Sequence, residues 1–344
     1  MEDSAILNST TKRFDTLALW GGIAFSLGFT ALIWWAGVRL DSVSLLPDQG
    51  ASWYYWKLPS PTFWTRATAW GLYLAHQLSI WGLIVYAQKH RPKYTTGLHK
   101  VNLLALGVNA VFILLHFAQT HFLYDGLAQD VSIWSSQISV IILLIWVILM
   151  ENPRRGMFFG KKVPISKEIT RFARKYHGYF FAWATIYTFW YHPMVSTPGH
   201  LFGFLYMFLL LLQGSLFFTR IHVNKWWTLV QELTVLFHGT MVAVMQGNNL
   251  WPMFAFGFAG MFVITQMHGL GLSRSVRLTI LLAFIGAALL VYNGRDLVSL
   301  NEIVRIPLIE YLSTFALAGI FAIGLWLVKK FRKTSLDTSE KLAG

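Results

Sequence analysis

Histidine is the residue type in this chain that could take part in the most kinds of chemistry. Eight of its 11 histidines fall within long apolar stretches, where an ionisable side chain is costly and normally faces a partner or water. Hydrogen bonding to a neighbouring helix accounts for any one of them. Eight in one chain favour a cofactor, a metal or a proton path, because most membrane bundles pack with small and aliphatic side chains. The eight residues are His76, His116, His121, His177, His192, His200, His238 and His268.

A metal centre is the first chemistry that these histidines predict. His76, His116 and His238 lie at similar depth by residue counting, and His121 follows His116 on the same helix. Glu310 lies at a comparable depth, and imidazole and carboxylate groups suit iron, zinc or copper. We therefore predict metal ligation by His76, His116, His121 and His238.

One histidine and two carboxylates are the candidate catalytic groups. Glu232 lies about two turns from the beginning of its apolar helix, His238 lies further along the same helix, and Glu310 lies in the last apolar stretch. Ionisable groups at membrane depth mark proton relays and substrate pathways. Together with a metal or haem, His238, Glu232 and Glu310 predict redox or oxygen-dependent chemistry on a lipid-soluble substrate.

The spacing of His177 and His192 predicts a haem arrangement. The two residues are 15 positions apart, which places them about 22 Å apart along a helix and within about 60° of one face. This pair resembles the arrangement in b-type cytochromes, in which a helix carries one axial histidine for a haem near each membrane surface. The resemblance implies haem b, with His200 or His121 completing the outer site and His268 the inner site.

Two alternative functions use the same residues. In a proton-coupled transporter, Glu232, Glu310 and the histidines would form a proton relay. In a membrane lipid acyltransferase, an intramembrane histidine works with an upstream asparagine. His238-Gly239 follows Asn224 in a way that resembles the membrane-bound O-acyltransferases. A cofactor-free assembly factor is a further alternative.

Composition and charge exclude several other kinds of site. The 344-residue chain contains no cysteine, which removes thiolate metal sites, iron–sulfur clusters and disulfides. Its net charge of +13 comes from Lys and Arg residues that flank the apolar stretches, where each contributes on the order of 1 kcal/mol of attraction to an anionic leaflet. Nucleic acid is therefore not an expected partner, whereas membrane lipids, a hydrophobic substrate and an electron-donor protein are.

The helices that must position these groups follow from hydropathy. The chain is 55% hydrophobic and 12% charged, against about 25% charged in soluble proteins, which predicts an all-α polytopic membrane protein. Apolar runs of about 20 residues are long enough to cross the hydrocarbon core. The ten predicted spans are 17–39, 64–88, 101–123, 130–150, 174–193, 199–219, 227–247, 251–271, 275–293 and 304–328.

The distribution of basic residues predicts how the spans are oriented. With both termini in the cytoplasm, 23 of the 28 Lys and Arg residues lie on the cytoplasmic side, as the positive-inside rule requires. The expected arrangement is a single transmembrane domain over residues 1–344 in the plasma membrane of a bacterium, its inner membrane, with short cytoplasmic tails at 1–16 and 330–344. On the outer side, Trp53 to Trp56 predict an aromatic belt at the membrane interface.

Overall fold

Ten α-helices make up most of the part of the chain that the structure describes. The structure, a computed structural model, describes the backbone of residues 2–47, 57–90, 92–247 and 249–343, and side chains between residues 14 and 330 within those ranges. The predicted aromatic belt at Trp53 to Trp56 lies outside the described residues. The helices are α1 (Glu2–Ala36), α2 (Phe63–His90), α3 (Lys100–Leu123), α4 (Ile133–Arg155), α5 (Lys167–Tyr191), α6 (Pro198–Ser215), α7 (Lys225–Met245), α8 (Trp251–Ile264), α9 (Arg274–Tyr292) and α10 (Asn301–Ala343).

Polar residues fix where two of these helices begin. The side-chain oxygen of Asn224 accepts hydrogen bonds from the backbone N–H groups of Trp226 at 2.9 Å and Trp227 at 3.2 Å, which satisfies two orphan donors at the start of α7. At the start of α3, the backbone N–H of His99 donates to Asn102 Oδ1 at 2.8 Å in a capping box. These caps set the register of the helices that carry His116 and His238.

Six helices in the described ranges are long and apolar enough to cross a membrane. The other four fall short for visible reasons. For example, α8 has only 14 residues where about 20 are needed, and α5 begins with a charged segment at 167–175. An all-helical chain with several membrane-crossing helices is typical of a multi-pass membrane protein. The six spans are Phe14–Leu40, Lys100–Leu123, Ile133–Arg155, Lys225–Met245, Arg274–Tyr292 and Leu297–Lys330.

The helices form two compact units. Unit 1 comprises Met1–Leu143 and Gly178–Phe258, and unit 2 comprises Leu144–His177 and Ala259–Gly344. In unit 1, α2 packs along α3, and α6 packs against α1, α3 and α7. The single-domain interpretation stays a prediction, and each unit is described by itself. The core of unit 1 includes the large side chains Phe29, Phe189, Trp190, Phe204 and Phe208.

Unit 2 has a smaller core, in which Tyr311 of α10 packs with Ile148, Met157 and Met261. Polar contacts fix this packing. The Met157 carbonyl accepts hydrogen bonds from the hydroxyls of Thr265 at 2.9 Å and Tyr311 at 3.2 Å. These bonds hold the segment after α4 against the end of α8.

Candidate functional site

Unit 1 brings five of the predicted histidines together, and we call them the histidine row. They come from four helices and the loop that follows α5. Consecutive members of the row interact electrostatically, and so do its third and fifth members. In order, the row is His76 on α2, His116 on α3, His192 in the loop after α5, His200 on α6 and His238 on α7.

His76 is held in one tautomer at the buried end of the row. It is 0% exposed, and the indole N–H of Trp190 donates to its Nδ1 at 3.2 Å. Because an indole nitrogen can only donate, Nδ1 is the acceptor and the ring hydrogen is on Nε2. That N–H donates to Asn109 Oδ1 at 2.7 Å. Both ring nitrogens of His76 are therefore engaged within unit 1.

An amide ladder, which we define as Asn109, Ser215 and Asn102, continues from His76 along α3 and α6. Asn109 Nδ2 donates to Ser215 Oγ at 2.8 Å. Asn102 Nδ2 donates to the carbonyls of Ser215 and Phe217, each at 2.8 Å. The ladder satisfies buried polar groups from the middle of α3 to its beginning, and it joins α3 to the end of α6.

His116 differs from its neighbours because its ring has no hydrogen bond. It is 0% exposed, stacks on Trp190 with ring centroids 4.3 Å apart, and meets the edge of Phe189 at 4.7 Å. The backbone of His192 approaches the ring, but neither ring nitrogen has a partner with hydrogen-bond geometry in the described part of the chain. A buried polar group in this state requires a functional or solvent explanation.

His192 and His200 form a half-buried pair on either side of the turn into α6. Their ring centroids lie 5.3 Å apart and their planes are nearly perpendicular, at 87°. Thr197 Oγ1 lies 2.7 Å from His200 Nδ1, which orients that ring.

The loop that carries His192 packs closely against Gly126. A Cβ at Gly126 would lie 2.6 Å from the Tyr191 carbonyl oxygen. The loop after α5 therefore depends on a glycine at position 126.

His238 lies against α6 at the far end of the row. A Cβ at Gly203 would lie 2.9 Å from His238 Nε2, so the absence of a side chain at 203 makes room for the ring. Tyr206, one turn further along α6, has its ring centroid 6.4 Å from that of His238. Tyr206 also interacts electrostatically with Glu232. Helix α7 thus presents both of its predicted site residues to α6.

The remaining predicted ligand in unit 1 and one in unit 2 bond to their own helices. His121 Nδ1 lies 2.9 Å from the Phe117 carbonyl, and His177 Nδ1 lies 2.6 Å from the Arg174 carbonyl. His177 belongs to unit 2 and His192 to unit 1. These contacts are the intrahelical kind that a structural histidine makes.

Two further predicted site residues lie in unit 2. Arg277 Nη1 donates to His268 Nδ1 at 3.1 Å, and His268 Nε2 faces the Val263 carbonyl at 3.2 Å. Both ring nitrogens of His268 are therefore engaged within unit 2, and its role as a haem ligand stays a prediction. Glu310 is 2% exposed, and its Oε2 has no hydrogen-bond partner among the described residues.

The acyltransferase alternative requires Asn224 and His238 to lie close together. They are the cap and the interior of the same helix, 14 residues apart, which corresponds to about 21 Å along the axis. The Asn224 side chain is also engaged in capping α7. The structure therefore does not bring this pair together.

Asp125 is a buried carboxyl in the loop between α3 and α4, outside the membrane-spanning segments. It is 3% exposed, and burial raises its pKa from 3.8 to about 6. A hydrogen bond from the backbone N–H of Gly126 to Oδ1, 2.8 Å long, opposes that shift. Asp125 is thus a buried carboxyl near the His192 loop whose pKa lies well above its usual value.

The positions of the candidate side chains bear on the predicted metal ligation. In the described ranges, no group of three or more His, Asp or Glu residues is placed to hold a metal ion. The His192–His200 pair comes nearest. Two imidazoles bound to one metal at about 2.0–2.1 Å have ring centroids about 5 Å apart when the bond angle is tetrahedral. The 5.3 Å separation of the two rings is close to this distance, and the metal centre stays a prediction.

Comparisons of the chain with known proteins find no match. No protein-family model matches the chain, and no curated protein and no solved structure is a match. Function is therefore inferred from the residues and their contacts alone.

Sequence reasoning missed the groups that support the histidine row. Asn102, Asn109 and His116 are spaced by seven residues on α3, so they form one stripe of that helix. This polar repeat within an apolar helix was the available signal. Trp190 carried none, because its contacts with His76 and His116 depend on how the end of α5 lies against α2 and α3.

Proposed function

We propose that the chain is a proton-coupled membrane transporter whose unit 1 binds and releases a proton on the histidine row. The observation that carries the proposal is His116, a fully buried imidazole with no hydrogen-bond partner on either nitrogen among the described residues. Leaving such a group unpartnered costs about 1–3 kcal/mol of stability. A group retained at that cost is a candidate for function.

Protonation of His116 supplies a link to conformational change. An imidazolium ion without a counter-charge is strongly unfavourable in the interior of a bundle. Proton binding therefore favours a conformation in which water or substrate reaches the row, and proton release favours the arrangement described above, in which His116 is buried. His192 and His200, which are half-buried, would exchange the proton with the solvent.

His76 has a different role, as a positioning residue. Its Nδ1 accepts from Trp190, so a proton can bind there only if that bond breaks. The amide ladder holds His76, His76 holds the Trp190 indole, and His116 stacks on the same indole. His76 therefore fixes the surface on which His116 rests.

Proton movement in proteoliposomes tests this proposal. The full-length protein is reconstituted with a pH-sensitive dye inside, and a potassium diffusion potential drives proton entry. We expect wild-type flux well above that of protein-free vesicles, and at least a tenfold loss in His116→Phe, which keeps an aromatic ring but cannot titrate. His90→Gln is the control, because His90 is exposed and its Nδ1 lies 2.8 Å from the Tyr86 carbonyl of its own helix. Wild-type flux equal to that of protein-free vesicles would contradict the proposal.

A second candidate function is redox or oxygen-dependent chemistry on a lipid-soluble substrate, with haem or with iron, zinc or copper. The observation that favours it is the 5.3 Å separation of the His192 and His200 rings, together with the Thr197 contact to His200 Nδ1. An outer partner on one ring nitrogen is the usual way in which a metal-binding histidine is oriented. A bound metal would supply Lewis acidity or electron transfer.

Metal analysis and an optical spectrum of protein purified without chelators separate the two candidates. Stoichiometric iron, zinc or copper that is lost in His200→Ala and retained in His90→Gln would support the metal. A Soret band that shifts on reduction would identify haem. Finding neither metal nor Soret band would remove the second candidate.

For the membrane arrangement we propose ten spans with both termini in the cytoplasm, in a bacterial inner membrane. The support is the 23 to 5 division of the 28 basic residues and the presence of ten α-helices that overlap the ten predicted spans. The chain lacks cysteine, so single introduced cysteines are clean probes. A cysteine at position 50 should react with an impermeant reagent from outside, and cysteines at 95 and 160 only after permeabilisation. The reverse pattern would overturn the orientation.

A further inference from the structure

Basic side chains of unit 2 meet around the short helical turn Gln266–Gly269. Arg154 Nη1 donates to the Gly269 carbonyl at 3.3 Å. A Cβ at Gly269 would lie 2.9 Å from Cβ of Arg155, so α4 ends directly against this turn. From the other side, Arg277 of α9 donates to His268. Three arginines from two helices thus surround one turn.

A tight hairpin turn brings two lysines to the same place. Lys161 and Phe158 exchange backbone hydrogen bonds of 2.8 and 3.3 Å, and Gly160 has φ +81°. A Cβ at Gly160 would lie 3.4 Å from His268 Nδ1. The exposed side chains of Lys161 and Lys162 therefore begin beside His268.

Arg277 presents a cation that the described residues do not neutralise. Because His268 Nδ1 accepts from Arg277, that ring nitrogen carries no hydrogen and the ring is neutral. The buried Nε of Arg277 has no hydrogen-bond partner in the described ranges. The carboxylate of Glu151 is paired with Arg154. The turn therefore carries an excess of positive charge.

The beginning of α9 adds to the attraction for anions. Ser273 caps this 19-residue helix, with its hydroxyl oxygen 3.3 Å from the Val276 nitrogen. The first backbone N–H groups of a helix and its dipole favour a negative group. Arg277 lies on the first turn of α9, so its side chain and the helix end belong to the same surface.

We propose that this surface, the basic turn, binds a phosphate group. The basic turn is defined by Arg154, Arg155, Lys161, Lys162, His268 and Arg277. Guanidinium groups offer paired N–H donors that match phosphate oxygens, and lysines add mobile positive charge. A phospholipid headgroup and a free phosphate share this chemistry. The site is independent of the histidine row, since all of its residues belong to unit 2.

Thermal unfolding of the full-length protein in detergent tests the proposal with two probes, inorganic phosphate and phosphatidylglycerol, and with phosphatidylcholine as the neutral lipid. We expect at least one anionic probe to raise Tm in a saturable way. Arg277→Gln should weaken that response at least fivefold. Arg171→Gln, an exposed arginine at the beginning of α5 in the same unit, should leave it unchanged.

The outcomes assign the source or overturn the site. A response to phosphatidylglycerol alone identifies a headgroup, and a response to inorganic phosphate that competes with the lipid identifies a free phosphate. Lys161→Gln with Lys162→Gln covers the case in which Arg277→Gln fails to fold, because both lysines are exposed; this variant should also weaken binding. No response to either anion, or an equal loss in Arg171→Gln, would overturn the proposal.

Discussion

His268 of unit 2 and His116 of unit 1 differ in how their ring nitrogens are bonded. In unit 2, His268 has one partner on each ring nitrogen, Arg277 and the Val263 carbonyl. In unit 1, His116 has none among the described residues and rests on aromatic rings instead. The first arrangement fixes a tautomer and joins helices, whereas the second leaves an imidazole able to accept a proton on either nitrogen. The contacts of the ring nitrogens therefore distinguish these two histidines, although both were predicted as site residues from their depth.

The units also differ in the kind of charge that they carry. The histidine row is made of groups that are neutral or cationic according to pH and surroundings. The basic turn is made mainly of arginine and lysine, which stay charged across the physiological range. Unit 1 is therefore expected to respond to protons, and unit 2 to anions at any ordinary pH.

The largest effect on unit 1 is expected from Gly126→Ala. The new Cβ would lie 2.6 Å from the backbone oxygen of Tyr191, and no side-chain rotation relieves a clash with backbone. We expect a loss of about 2–4 kcal/mol in the free energy of unfolding and loss of proton flux, measured by thermal unfolding and in proteoliposomes. Gly107→Ala is the control, because nothing among the described residues lies within 4 Å of its Cβ. Phosphate binding at the basic turn should persist in any folded fraction.

A pair of matched substitutions, His268→Phe and His116→Phe, tests directly whether the two histidines differ in their contribution to stability. His268→Phe leaves the Val263 carbonyl and Arg277 without their partner, which should cost about 1–3 kcal/mol. His116→Phe removes a buried polar group that has no hydrogen bond, so the stability should stay the same or rise by about 1 kcal/mol, while proton flux is lost. Equal destabilisation by both changes, measured by unfolding in detergent, would show that His116 is structural.

Helices were predictable from the sequence because the bilayer imposes a length and a composition. Each of the ten predicted spans falls on an α-helix, although α8 is seven residues shorter than its predicted span because the chain turns at Thr265 into a short helical turn. The number of membrane crossings was less predictable. Charged segments such as the beginning of α5 and short helices such as α8 do not satisfy the length and hydropathy that a span requires.

The candidate site was predictable in part. Residue counting selected His76, His116 and His238, but it placed them in one metal site, whereas the structure gives His76 two protein partners. Helical periodicity tells which face a residue occupies, not which neighbouring helix covers that face. The Trp190 indole, which contacts both His76 and His116, could not be found without the packing of α5.

A smaller effect, on pH dependence, is expected from Asp125→Asn. Burial raises the pKa of Asp125 to about 6 in the folded protein, so between pH 4 and 6 the folded state holds more protons than the unfolded state. Stability therefore falls as pH rises through this window, and the loss is complete at pH 7. Asp125→Asn should remove the fall and recover on the order of 1–2 kcal/mol at pH 7. Asp296→Asn is the exposed control, and an unchanged pH profile in Asp125→Asn would contradict the assignment.

The smallest effect is expected from Glu168→Gln in unit 2, where charge is fixed and exposed. Lys329 Nζ contacts both Glu168 oxygens, at 2.8 and 3.0 Å, yet the two side chains are 66% and 51% exposed. An ion pair in that setting contributes about 0.2–1 kcal/mol, because water and salt screen the charges. We therefore expect a Tm within about 1 °C of wild type and no added dependence on ionic strength. A loss of more than about 1 kcal/mol would mean that this exposed ion pair contributes more than its solvent screening allows, and that the buried Tyr311 contacts to Thr265 and Met157 are not the main attachment of α10.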